Sequence, residues 1–172
     1  MLFAALAVAT ALQAPADPLA PARQGQVECF GFDTARKTCR AIGAYRFTAD
    51  GTIFNDAANL VNAEPSVVMR TSSPVYVKDG AECTRVAPMR DQITVIEVNG
   101  TRLEGEQFTA VRDQLAAALD GLFPTGSEFC GRYEAQPDGS VMQRLWVDGV
   151  AQPDKDDAFR WVDPAEGWRV AP

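Results

Sequence analysis

Histidine is absent from this chain of 172 residues. That single absence removes the usual general base, the commonest transition-metal ligand and the side chain that titrates near neutral pH. A Ser-His-Asp or Cys-His site cannot be built from this chain alone. Lysine is scarce as well, limited to Lys37, Lys78 and Lys155, and none follows a serine in the S-x-x-K arrangement. The four cysteines, Cys29, Cys39, Cys83 and Cys130, are too far apart in sequence for any C-x-x-C redox or zinc motif. No cluster of basic residues occurs, and the net charge is −7. An acidic chain of this kind is no partner for nucleic acid or for an anionic lipid surface. The acidic run Asp154-Lys155-Asp156-Asp157 stops at Ala158 and Phe159, short of the glycine and glutamate that an EF-type calcium loop requires. The sequence thus points to no cofactor, no metal site and no catalytic residue.

Long apolar runs are confined to the beginning. Leu2 to Leu12 is uninterrupted, and Gln13-Ala14-Pro15-Ala16 follows with small residues. This has the form of a signal peptide over residues 1–16, with an A-x-A site at Ala14-Pro15-Ala16 and Asp17 as the new first residue. Ala9-Thr10-Ala11 is the other candidate site. The segment carries no Lys or Arg before its apolar stretch, where export signals normally have one. As a helix, eleven residues reach about 16 Å, roughly half the hydrocarbon core, so a membrane anchor is not expected. The implied destination is periplasmic or secreted, an oxidising compartment in which cysteines pair. Of the three possible pairings, Cys29–Cys39 closes a local turn and Cys83–Cys130 joins two β segments on either side of a helix; this is the favoured pair.

The remainder is long enough for one domain. Residues 17–26 are rich in Pro and Ala and read as a linker, leaving a single domain over 27–172. Asp50-Gly51, Asp79-Gly80, Asn99-Gly100, Asp138-Gly139 and Asp148-Gly149 are hairpin turn signals. Gln92 to Val98 is the best strand, rich in β-branched residues. Asp56 to Ala63 is ambiguous between a helical turn and a loop, and Ser73-Pro74 interrupts a strand. One amphipathic helix is expected from Glu104 to Leu122, with Phe108, Val111, Leu115, Ala118, Leu119 and Leu122 on one face and Glu106, Asp113 and Asp120 on the opposite, solvated side. Phe159 to Val162 and Gly167 to Val170 read as a last hairpin. The fold class implied is α+β: a small antiparallel, hairpin-rich sheet packed against one main helix and stabilised by disulfides. Tyr45-x4-Asp50-Gly51 and Tyr133-x4-Asp138-Gly139 share a spacing, an echo of one hairpin within another.

Two functional readings follow. One is a non-catalytic binding or envelope-associated module. Its candidate ligand-binding residues are Trp161 and Trp168 with Arg160 and Arg169, whose rings and charges suit a cell-envelope glycan or peptide. Trp146, in the apolar segment Leu145-Trp146-Val147, is expected in the core. The alternative is a small carboxylate-dependent hydrolase acting on an envelope polysaccharide, which needs two acidic side chains and no histidine.

Overall fold

Five glycine-containing turns set the architecture. Asp79, Asn99 and Asp148 adopt φ of 52°, 49° and 48°, and the glycines after them adopt 75°, 77° and 79°, the left-handed pair that a tight hairpin requires. The computed structural model describes residues 17–172; the expected signal peptide lies outside the described residues. In chain order the elements are α1 (Ala20–Arg23), β1 (Val27–Phe30), β2 (Thr38–Cys39), β3 (Ala41–Phe47), β4 (Ile53–Ala63), β5 (Ser66–Lys78), β6 (Ala81–Arg85), α2 (Met89–Gln92), β7 (Ile93–Val98), β8 (Thr101–Arg102), α3 (Gly105–Asp120), β9 (Glu128–Ala135), β10 (Val141–Val147), β11 (Val150–Ala151), β12 (Asp157–Val162) and β13 (Arg169–Val170).

The hairpins do not lie in an open sheet. Strands pair in the order β4-β3-β1-β12-β10-β9-β6-β5, and β5 pairs back onto β4, so eight antiparallel strands close into a barrel. This overturns the α+β expectation. The reason lies in β4. Its Asp56-Ala-Ala-Asn-Leu-Val-Asn-Ala63 stretch has little β propensity, yet it is an eleven-residue strand. It bonds β3 along one edge and β5 along the other, and so removes both free edges of the sheet. Small residues there suit the inside of a narrow barrel, where there is little room for long side chains.

Strand β5 also differs from its sequence reading. It runs unbroken through Pro74. On the side away from β4, Val67 to Thr71 pair with β7 and Tyr76 to Lys78 pair with β6. Pro74 falls in the interval between these two partners, where a missing N–H costs no ladder bond. Because β5 leaves β6 for β7, the barrel wall is split at its upper end. The split is covered by α2 and α3. Met69, Met89, Ile93, Ile96 and Ala116 form the core beneath them, with Phe108, Val111, Leu115 and Leu119 of α3 packed against it. Ala116 takes the place expected of Ala118, and Leu122 is 62% exposed. Asp113 pairs with Arg90 at 3.1 Å and Asp120 accepts the Met89 N–H at 3.1 Å. The acidic side of α3 therefore holds α2 rather than facing only water.

The lower end is closed by the segment read as a linker. Residues 17–26 contain α1, and Leu19 before it is completely buried. The Arg23 guanidinium stacks 4.4 Å from the Phe47 ring centroid. Its prolines and alanines make a short helix instead of a tether, because Leu19 has an apolar barrel end to enter. The expected C-terminal hairpin is also replaced. Strand β12 inserts between β1 and β10, and β13 pairs in parallel with β2. The disulfides join Cys29 to Cys39 and Cys83 to Cys130. Both lie on the outer surface of the wall. The first is buried under β2, β13 and Trp168, and the second joins directly opposed residues of β6 and β9. Among the described residues no helix is long and apolar enough to cross a membrane.

Candidate functional site in the barrel lumen

Alternation along each strand sends every second side chain inward. At mid-height these include Glu28 on β1, Gly43 and Tyr45 on β3, Asn55 on β4, Glu82 on β6, Tyr133 on β9, and Phe159 and Trp161 on β12. The strand register places Glu28 between Gly43 on one side and Trp161 on the other. A Cβ on Gly43 would stand 2.7 Å from Glu28 Oε2, so the glycine provides the room that the carboxyl occupies. Tyr45 and Tyr133 both donate to Glu28 Oε1, at 3.0 and 2.6 Å, and their hydroxyls are 3.2 Å apart. The two tyrosines of the echoed hairpins thus meet on one atom. Around them, Tyr133 lies edge-on to Phe159 at 5.0 Å, and Trp161 is 6.3 Å from each tyrosine ring.

This cluster holds two acids and no base. Glu28 is 3% exposed. Burial first, and the nearby Glu82 second, push its carboxyl up to about 8, against the pull of the two tyrosine hydrogen bonds. Desolvation lifts Glu82 to about 7, and the polar Tyr133 hydroxyl nearby opposes the rise. Glu82 keeps part of its surface in solvent and Glu28 does not, so the proton retained by the pair resides on Glu28. Burial and the adjacent acids push both phenols well up, which keeps them protonated as donors. Two carboxyls in one pocket with separated affinities for a proton are the raw material of acid–base catalysis. Sequence alone could not pick Glu28 and Glu82 from 23 acidic residues; the tyrosine echo was the one signal that led toward them.

Two cavities open above this layer. One, of about 450 Å³, is lined by Met69, Val86, Met89, Leu119, Phe123 and Phe129 with the polar Asn59, Thr71, Thr84 and Gln92 at its edges. The other, of about 490 Å³, is lined by residues that include Phe30, Arg40, Asn59, Phe123, Lys155 and Asp157. Neither borders Glu28 or Glu82.

The four candidate ligand residues do not form one face. Trp161 points into the lumen against Tyr45, Tyr133 and Phe159. Trp168 lies outside, packed on the Cys29–Cys39 bridge, and lines an outer groove with Arg169. Arg160 is on the outer side of β12, 4.8 Å over the Phe32 ring, with Nη2 on the Asp138 carbonyl at 2.9 Å. Trp146, expected in the core, is on the outer surface beside Arg132, half-buried. The outward positions of β10 are Met142, Arg144 and Trp146, so its apolar neighbours Leu145 and Val147 take the lumen instead. Among the described residues no group of acidic or cysteine side chains is placed to hold a metal ion. Comparison with known protein families, curated proteins and solved structures finds no match to this chain.

Proposed function

We propose that this chain is a non-catalytic binding module that works outside the cytoplasm, in the periplasm or as a secreted protein, and holds a small apolar-bodied molecule at the mouth of its barrel. The observation that carries the reading is the 450 Å³ cavity, which is walled by methionine, leucine, valine and phenylalanine and rimmed by a few amide and hydroxyl groups. Its size and mixture are those of ligand sites in general, and an eight-stranded barrel is wide enough to hold one small ligand. The two disulfides support the extracytoplasmic part of the reading.

The hydrolase reading has two neighbouring carboxyls in its favour, yet Glu28 is sealed beneath both cavities, where a polysaccharide chain does not reach. The test uses the mature, oxidised protein and Nile red, an uncharged probe that brightens in apolar surroundings. Saturable brightening at one probe per chain is expected, with Leu119→Trp, which fills the cavity from α3, weakening it at least tenfold while the thermal midpoint holds. Absence of saturable binding overturns the module reading. N-terminal sequencing from the native host should begin at Asp17; recovery of uncleaved protein from the cytoplasm overturns the export part.

A further inference from the structure

We infer that the ligand is a single-chain amphiphile with a carboxylate head, its apolar body beside Met69 and Phe129 and its head at Lys155 and Arg40. This inference rests on the binding-module reading above. The two cavities share Asn59 and Phe123, so they meet at the upper rim of the barrel, with the Phe123 ring where they join. Their chemistry is opposite. The first has no charged side chain in its lining, whereas the second contains Arg40, Lys155 and Asp157.

Charge fixes the head group. Arg40 Nη2 is 2.5 Å from Asp157 Oδ2, so these two offset each other, and among the side chains that line this cavity the charge left over is that of Lys155. One such cation in the lining matches a monoanion, and a carboxylate is the monoanion an alkyl chain most simply carries. Asn59 and Gln143, which line the same cavity, supply amide N–H groups for its oxygens.

Position fixes the orientation. Deeper in the lumen stand Glu28 and Glu82, two acids that offer an anion no cation. Across Phe123 lie methionine and phenylalanine, which offer a carboxylate no hydrogen bond and would leave it desolvated and unpaired. Only the arrangement with the chain toward Met69 and the head toward Lys155 satisfies both ends. A cationic or neutral head gains no ion pair from Lys155.

The test is a calorimetric titration of the mature protein with three probes of one chain length, each below its aggregation concentration: dodecanoate, dodecanol and dodecyltrimethylammonium. Dodecanoate should bind about tenfold more tightly than dodecanol, and the ammonium compound most weakly. Lys155→Met, an exposed position whose change leaves the fold intact, should bring dodecanoate to the level of dodecanol and leave dodecanol unchanged. Equal affinity for all three probes, or a preference for the ammonium head, overturns the inference while the module reading stands. Nile red binding without binding of any dodecyl probe does the same. Failure of Nile red and of all three probes overturns both.

Discussion

Tyr45 and Tyr133, 88 residues apart in sequence, place their hydroxyls 3.2 Å from each other on the same oxygen of Glu28. They tie β3 and β9, on different sides of the barrel, to β1. The Tyr133 bond is the shorter, 2.6 against 3.0 Å. Removal of a donor from a buried acceptor costs about 1–3 kcal/mol. Tyr133→Phe is therefore expected at the upper end of that range and Tyr45→Phe at the lower, as read by urea denaturation. Equal losses would show that the two hydroxyls do not differ in their hold on Glu28.

The same cluster makes stability depend on pH in an unusual direction. Glu28 rises from an ordinary 4.5 to about 8 and Glu82 to about 7 on folding, chiefly through burial. A carboxyl whose affinity for the proton increases on folding stabilises the native state fully below pH 4.5, and that contribution is lost as pH climbs through 7 and 8. Arg and Lys are absent from the inward positions named around Glu28, so no cation relieves the ionised pair. Asp33, Asp50, Asp138 and Asp156 are held below their ordinary range by local hydrogen bonds, and their effect is confined to acid pH. The melting temperature should fall steadily from pH 6 to pH 9. Glu28→Gln, which keeps the tyrosine hydrogen bonds and cannot ionise, should remove the Glu28 share of the fall and leave the smaller one that the burial of Glu82 produces. A wild-type profile that is flat or rises over this range contradicts the assignment.

Gly43 offers a steric test of the same site. Its φ is not in the left-handed region, so the backbone would accept alanine; the obstacle is Glu28 Oε2 at 2.7 Å from the new Cβ. Gly43→Ala must displace a buried carboxyl from its two donors, and a loss of about 1–3 kcal/mol follows. In a Glu28→Ala background, where the obstructing atoms are gone, the same change should cost little. A cost that is undiminished there, measured as a double-mutant cycle, would place the strain elsewhere.

The local elements were legible where the chemistry is local. Asn99-Gly100 and the Asp-Gly pairs define hairpins through their own backbone preferences, and the α3 stripe from Phe108 to Leu119 is visible at helical spacing. Closure of the barrel was not legible, because it depends on Asn59, Ala57 and their neighbours in β4, residues with no strand preference of their own. They are held extended by two partner strands distant in sequence. The burial of Leu19 was hidden for a similar reason: nothing in Ala-Asp-Pro-Leu-Ala-Pro-Ala-Arg indicates the barrel end that receives it. The acid pair was hidden most deeply. Glu28 and Glu82 look like any other acidic residue until β1 and β6 face each other across a lumen, and only the matched spacing after Tyr45 and Tyr133 hinted at a shared environment.

The tryptophans separate the inside of the wall from the outside. Trp161 is in the lumen, 5.3 Å from Phe159 and 6.3 Å from each tyrosine, whereas Trp146 lies on the outer surface with Arg132 5.4 Å over its ring. Truncation of a packed aromatic costs about 3–5 kcal/mol, and of a surface one with a cation above it about 1 kcal/mol or less. Trp161→Ala should therefore destabilise the protein far more than Trp146→Ala in urea titrations. Fluorescence gives a second measure. Trp161 is directly opposite Glu28 in the strand register, so its emission should change as Glu28 loses its proton near pH 8, and Glu28→Gln should abolish that change. Trp146 emission, isolated in a Trp161→Phe, Trp168→Phe variant, should stay constant over the same interval. If Trp146→Ala proves the costlier change, or if the emission step persists without Trp161, then the inward assignment of β12 and outward assignment of Trp146 are wrong, and the lumen described around Glu28 is wrong with them.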